Sequence, residues 1–333
     1  MQRRAFMGLI GAATAWPLAV RAQQPAKMKR IAIVSPATKV GDMNITGIRV
    51  YRAFFEELGR LGYVEGQNLI VERYSGEGRT ERFDSLAREV VSTSPDLIFP
   101  VATVLTLKFK MATSTIPIVA MTGDPVASGL VNSMARPGGN ITGATVDAGP
   151  ALHGKRVEFL VEASPRSSNA RFLASQSSWD NPGGSAVREA AKQADISMAL
   201  ALLDSDINEA AYQRVFNAME QDRVDALVVA DQPENFTYRR LLVELAAKYR
   251  IPAIYPFREH AELGGLMSYS ADLSDILRRI ANQIAEVLKG VGPAEIPIYQ
   301  PTKFQLIINL KTAKALGLEM PPTLLARADE IIE

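Results

Sequence analysis

Short continuous apolar runs alternate with amphipathic stretches along most of the chain. Ile31-Ala32-Ile33-Val34 has the pattern of a strand covered on both faces, and it gives way to polar Ser35-Pro36-Ala37-Thr38. From about Ile45 to Leu61 the apolar residues Ile48, Tyr51, Phe54, Phe55, Leu58 and Leu61 recur at three- and four-residue steps. That spacing predicts a helix with one buried face, and Gly62 is its natural stop. Leu69–Tyr74 alternates, as a strand nearer a sheet edge would. Glu81–Ser92 reads as a helix, Leu97–Val101 as a strand ending in Ala102-Thr103, Val104–Ser114 as a helix and Ile116–Met121 as a strand. This βαβαβαβ succession requires a mostly parallel sheet.

The second half repeats the plan. Leu152–Ala163 reads as a helix and Arg171–Ala174 as a strand, followed by a polar loop, Ser175–Gly184, that carries Trp179. Ser185–Ala194 is expected as a helix and Ile196–Leu202 as a strand. Asp206 is placed to cap a helix over Ile207–Gln221. Ala226–Val229 is a short buried strand ending in Ala230-Asp231-Gln232-Pro233. A helix over Tyr238–Tyr249 and strands over Pro252–Tyr255 and Leu266–Tyr269 follow. Leu273–Lys289 is a long amphipathic helix stopped by Gly290. Ile296–Gln300 and Phe304–Asn309 read as extended, and Lys311–Leu316 as a short helix. A late helix and late strands after two complete units suit two lobes joined by several crossings. We place these near Thr145–Gly149, Ala271–Asp272 and Pro297–Thr302.

One stretch organises the chain. The run Ile116–Met121 ends in the turn Thr122-Gly123-Asp124-Pro125, and Arg136-Pro137-Gly138-Gly139-Asn140 forms a second tight turn. In open α/β sheets, ligands bind outside the carboxyl ends of strands. The stretch is therefore expected to line a site and then to lead out of its domain.

At 333 residues the chain exceeds the usual size of one core, which favours two domains. Its hydrophobic and charged fractions are those of a soluble globular protein. The net charge of +1 gives no footprint for nucleic acid. Residues 1–22 read as a signal peptide. Arg3-Arg4 precede an apolar run from Ala5 to Val20, and Val20-Arg21-Ala22 offers a cleavage site. The run is too short for a membrane-spanning helix. Arg3-Arg4-Ala5-Phe6-Met7 resembles a twin-arginine signal, with an ordinary secretory leader as the alternative. The absence of Cys removes disulfides, a thiol nucleophile and a lipid-accepting Cys after the leader. A periplasmic location is expected.

Several motifs resemble those of a family of ABC-transporter substrate-binding proteins that includes tryptophan- and tyrosine-binding members. They are Gly123-Asp124-Pro125-Val126, Gly129-Leu130-Val131, Ala135-Arg136-Pro137-Gly138-Gly139-Asn140-Ile141-Thr142-Gly143, Gly154-Lys155-Arg156, Gly264-Gly265-Leu266-Met267-Ser268-Tyr269, Gln300-Pro301-Thr302-Lys303-Phe304 and Ile308–Leu318. The resemblance runs from about Arg30 to the C-terminus. It implies an α/β fold of two Rossmann-like lobes with parallel sheets joined by a multi-strand hinge, the type I periplasmic-binding-protein fold. It also implies delivery of a small-molecule ligand, such as an amino acid, to an ABC permease in the inner membrane, by a monomer. The expected organisation is lobe 1 over 28–146 plus 272–298, lobe 2 over 147–271 plus 302–325, and a C-terminal tail over 326–333.

Candidate chemistry is sparse. His153 and His260 are the only histidines and lack metal-ligand spacing, so packing or surface roles are expected and no metal. No G-x-S-x-G elbow occurs. Gly183-Gly184-Ser185 could hold an anion at a helix start, but it lacks a nucleotide fingerprint, and no cofactor is expected. Asp124 either caps a helix after Pro125 or accepts a ligand ammonium; Asp231 sits at the equivalent strand end of the second unit. The strand ends supply Ser35, Thr38, Thr103, Thr122, Asp124, Trp179, Asp231 and Tyr255 as candidate ligand-binding residues. The set offers hydrogen bonds and a stacking face without a nucleophile and matching base, which suits a binding cleft. The chain is therefore read as a solute-binding protein and not an enzyme. A periplasmic sensor subunit and an exported hydrolase are the alternatives. A transcription regulator of similar architecture would need a helix-turn-helix where this chain carries its leader.

Overall fold

The computed structural model of the protein describes residues 28–203 and 207–333. The expected leader and Asp206 lie outside the described residues. The first part of the chain runs β1 (Lys29–Ser35), α1 (Arg49–Arg60), β2 (Leu69–Ser75), α2 (Phe83–Ser92), β3 (Leu97–Pro100), α3 (Thr103–Ala112), β4 (Ile118–Thr122) and β5 (Ile141–Thr145). These strands form a parallel sheet in the order β2-β1-β3-β4-β5. The alternation of Leu69–Tyr74 has its reason here, because β2 is an edge strand.

Then come α4 (Pro150–Ala163), β6 (Asn169–Ala174), α5 (Gln176–Asp180), α6 (Pro182–Gln193), β7 (Ser197–Leu202), α7 (Glu209–Gln221), β8 (Ala226–Val229), α8 (Pro233–Thr237), α9 (Arg239–Lys248), β9 (Ala253–Tyr255), α10 (Arg258–Glu262) and β10 (Met267–Ser270). The chain ends with α11 (Leu273–Leu288), β11 (Gln305–Asn309), α12 (Leu310–Leu316), α13 (Pro322–Leu325) and β12 (Glu330–Ile332). The second sheet runs β12-β11-β10-β9-β8-β6-β7. Its pairs are parallel except β10 with β11.

Each sheet is covered on both faces. On one face of the first sheet, Phe54 and Leu58 of α1 pack with Ile276, Ile280 and Ile284 of α11 over Ile31, Ile33 and Phe99. On the other, Phe83 and Val90 of α2 and Phe109 of α3 cover Ala32, Val34 and Ile98. The second sheet is covered by Val157 and Leu160 of α4 with Val187 of α6 on one face, and by Tyr212 and Phe216 of α7 with Leu242 of α9 on the other. The helix α11 follows the second sheet's β10 in sequence yet packs on the first sheet.

Several elements depart from the sequence reading. Residues 141–145, which no apolar run singles out, form β5 in register with β4. The helix α7 starts at Glu209 rather than Ile207 and is capped by Asn208, its Oδ1 accepting from Ala211 N at 3.0 Å. The stretch read as a polar loop over 175–184 contains α5, and α6 begins at Pro182 under an Asn181 cap. The single helix expected over 238–249 starts earlier, as α8, and breaks at Tyr238. Part of the expected C-terminal tail, Glu330–Ile332, is a strand pairing with β11.

β5 explains one glycine. Gly143 lies opposite Ala120 of β4 at φ 143°, and a Cβ there would stand 1.9 Å from the Ala120 carbonyl oxygen. Only a residue without Cβ fits a backbone this close at that dihedral. Gly143 O also accepts from Tyr299 N at 2.9 Å and from Gln283 Nε2 at 2.9 Å, so returning chain covers the sheet edge. Gly143→Ala is expected to destabilise by about 3 kcal/mol or more, seen as a lower urea midpoint; an unchanged midpoint would contradict the close approach.

Candidate functional site

The carboxyl ends of the two sheets face one another across a cavity of about 930 Å³. Its wall is built from both sides. The first sheet contributes Thr38 after β1, Ala102 and Thr103 after β3, and Met121 through Asp124 at the end of β4. The second contributes Ser175 through Ser178 after β6 and Asp231 through Glu234 after β8. A smaller hollow of about 390 Å³ adjoins it, sharing Thr38, Val50 and Phe236. Beside that hollow Arg49, at the start of α1, pairs with Glu259 of α10 at 2.7 Å, spanning the two sides.

Five of the residues expected at strand ends share the cavity wall: Thr38, Thr103, Thr122, Asp124 and Asp231. Thr103 Oγ1 accepts from Gly123 N at 3.1 Å and so stitches the ends of β3 and β4 together. Thr122 is buried, its hydroxyl turned to Gly123 O at 3.5 Å. Asp124 Oδ1 accepts from Val126 N at 3.0 Å and Ala127 N at 2.9 Å. Asp124 therefore caps a hydrogen-bonded turn, and no helix follows Pro125. Ala102 turns the chain into α3 at φ 78°, a dihedral uncommon for a residue with a Cβ, and α3 starts with no side-chain cap.

Ser35, Trp179 and Tyr255 lie elsewhere. Ser35 is fully buried behind the wall, its Oγ accepting from Thr38 N at 3.0 Å and so shaping the loop that presents Thr38. Trp179 packs against Phe172, with the Arg188 guanidinium 4.6 Å above its ring. Tyr255 is 1% exposed and stacks on His260 at 4.9 Å. Sheet alternation decides this: Ile254 faces the α4 side of the second sheet and Tyr255, the last residue of β9, the α7–α9 side, so both side chains pack in the core.

The wall also holds residues that the sequence does not single out. Tyr51 of α1 is buried beside Thr38, and burial pushes its phenol up against opposing hydrogen bonds from Thr38 and Ser35. It stays neutral. Gln232 Oε1 accepts from Ser175 N at 2.8 Å and ties the ends of β8 and β6. His153 of α4, expected to have a packing or surface role, is buried and part of the wall. A guanidinium only donates, so the 3.4 Å contact from Arg156 Nη1 fixes His153 Nδ1 as the acceptor. His153 Nε2–H then donates to Asp147 Oδ2 at 3.0 Å. Asp147 Oδ1 accepts from Gly149 N at 2.8 Å. Burial pushes Asp147 up, but the His153 and Gly149 hydrogen bonds and the nearby Arg156 charge bring it below its usual range. Gly183 is needed here for space, since a Cβ would stand 2.8 Å from the His153 ring. That explains a glycine the sequence offered as part of an anion site.

Arg156 is 1% exposed. Its Nε donates to Tyr269 O at 2.9 Å, and its Nη1 stands 3.7 Å from Asp231 Oδ2. Burial lowers it, and the charges of Asp231 and Asp147 oppose that. The chain Asp147–His153–Arg156–Asp231 thus links the segment leaving β5 to the cavity wall. A fourth carboxyl on the wall, Glu234, is 7% exposed at the start of α8, and burial raises its pKa. No group of three or more His, Cys, Asp or Glu side chains among the described residues is arranged to hold a metal. No helix among the described residues is long and apolar enough to cross a membrane.

A family model described as ABC transporter substrate binding protein matches residues 47–332. A tyrosine-binding protein from Clostridioides difficile (strain R20291) is 24% identical over 277 residues, which cover 80% of this chain and 76% of that protein. Solved structures share the fold. The ABC domain in complex with L-Trp from Streptococcus pneumoniae aligns with a TM-score of 0.78 at 22% identity, covering 92% of this chain and 100% of the other. The 5-methylthioribose transporter solute binding protein from Thermotoga lettingae aligns at 0.58 and 13% identity, covering 91% and 97%.

Two expectations follow from the buried charges. Arg156→Met removes the partner of a partly desolvated carboxylate and leaves Tyr269 O without its donor. It should cost about 3 kcal/mol, measured by urea unfolding; a loss below about 1 kcal/mol would show the network to be incidental. Glu234 titrates above its unfolded range, so the stability of its protonated form is complete below the unfolded pKa and is lost as pH rises through the folded one. Glu234→Gln should therefore raise Tm more at pH 8 than at pH 5, and equal shifts at both would contradict the burial argument.

Proposed function

The chain belongs to the ABC transporter substrate-binding protein family, and on that premise we propose that it binds a small organic solute between two lobes and delivers it to an inner-membrane permease. The family is one of solute-binding proteins rather than enzymes. Substrate-binding proteins of ABC importers work in the periplasm or outside the cell. The lobes we propose are 28–146 plus 272–298 and 147–271 plus 302–325, turning about the segments between them. The carrying observation is the cavity of about 930 Å³ lined from the strand ends of both sheets. A solute touching both walls gains more contacts when the walls approach. Only such differential affinity shifts the protein toward a closed form. The closed form is the one a permease would dock.

We propose an amino acid as the solute class, with aromatic side chains first in line. The tyrosine-binding relative and the L-Trp complex of similar fold support that class. The cavity wall supports it too, since Tyr51, Phe236 and Phe257 provide an aromatic lining beside carboxyl groups. The expected location is the periplasm, reached through the N-terminal leader by a twin-arginine-like signal, and the expected form is a monomer. Thermal unfolding against amino acids, sugars, carboxylates and aromatic acids tests the reading. A ligand at about 100 times its Kd should add roughly 2.7 kcal/mol. A selective shift with amino acids is expected; a flat response after denaturing and refolding, which strips any co-purified ligand, would contradict it.

A further inference from the structure

Among the described residues the wall carries acids and no Lys or Arg to balance them, and its imidazole, His153, is taken up by Asp147 and Arg156. The acids are Asp124, Asp147, Asp231 and Glu234. Three of these acids have partners. Asp124 Oδ1 accepts two turn amides, Asp147 accepts from His153 and Gly149, and Asp231 faces Arg156 from behind the wall. Glu234 has only the hydrogen bond from its own backbone N–H, and among the described residues no side chain forms a hydrogen bond or an ion pair with it. A carboxyl 7% exposed with no cationic partner is costly to ionise, and the cost is relieved when a cation reaches it.

We propose that the solute carries a protonated amine and no net negative charge, and that Glu234 is the counter-charge that receives the amine. The proposal rests on the reading of this cavity as the solute site. An ammonium is compact and offers three donors, so one can serve Glu234 and still donate to other acceptors on the wall. The wall beyond these acids is apolar. Phe236 meets Phe257 edge to face at 5.7 Å, and Val50, Tyr51, Leu273 and Leu277 continue the surface. An amine on an apolar or aromatic body matches both parts. An anionic solute meets four acids and no cation on the wall. A carboxylate on the solute would have only neutral donors to meet, such as the Thr38 and Thr103 hydroxyls and the uncapped start of α3. The amine is therefore the stricter requirement.

Matched probes test this by calorimetry on the purified protein after refolding: tyrosine, tryptophan and leucine, the decarboxylated amine of each, and the N-acetyl derivative of each, with allitol and 5-methylthioribose beside them. At least one amino acid should bind. Its N-acetyl form should bind at least about 30-fold more weakly, and its decarboxylated amine should bind better than the N-acetyl form. Glu234→Gln, with near-UV circular dichroism matching the parent, should weaken the amino acid by at least about 30-fold. The probe comparison stands whether or not that variant folds. An N-acetyl form binding as tightly as its parent, or an unchanged Kd in folded Glu234→Gln, would overturn the proposal. Binding of a polyol with every amine silent would overturn it while leaving solute binding intact. Silence of every probe would overturn both.

Discussion

A parallel sheet must bury both faces, and this chain covers one face of its first sheet with a helix taken from beyond its second. The helix α11 brings Ile276, Ile280 and Ile284 against α1 and the first sheet. Each buried side chain of this size contributes roughly 1.5–3 kcal/mol, so the helix is bound firmly to a core its neighbours in sequence do not share. The chain must therefore pass between the sheets after β5, after β10 and again before β11. These passages hold the two sets of strand ends opposite one another, and the cavity is what lies between.

The wall of that cavity is fastened from behind. Thr103 Oγ1 and Gln232 Oε1 each tie two neighbouring strand ends through one backbone amide. Arg156, buried under the second sheet, holds Asp231 from the far side and His153 through its Nδ1, and His153 holds Asp147 on the segment leaving the first sheet. The acids of the wall thus differ in kind. Asp147 and Asp231 are bound into a network around the Arg156 cation, which offsets part of their charge. Glu234 is buried with no cation beside it, which gives it much to gain from a bound one.

Much of the architecture was legible from apolar runs and helical spacing. The strands β1, β3, β4 and β8 announce themselves because a strand covered on both faces must be continuously apolar. The helices α1 and α11 do so because a single buried face imposes three- and four-residue steps. The strand β5 was not legible: Ile141-Thr142-Gly143-Ala144-Thr145 has no strong run, and its glycine is set by the backbone of β4 rather than by turn chemistry. The strand β12 was hidden because a short edge strand needs little apolar surface. The turn at Asp124 is indistinguishable in sequence from a helix entry because Asp-Pro serves both.

Two α/β units, the strand ends that border the site and the family are readable from the amino-acid sequence, because these depend on local pattern and contiguous motifs. Tertiary structure alone decided which of the strand-end side chains face the cavity. Thr38, Thr103, Thr122, Asp124 and Asp231 do, while Trp179 and Tyr255 are taken up by packing against Phe172 and His260. It also brought His153 and Glu234 to the wall, residues outside the set of strand-end candidates. The physical reason is that the face of a strand or helix on which a side chain falls follows from its neighbours in space. With both faces of each sheet covered, a one-residue shift along a strand exchanges one core face for the other, and the amino-acid pattern at a strand tip is too short to fix which residues pass beyond the core to the cavity.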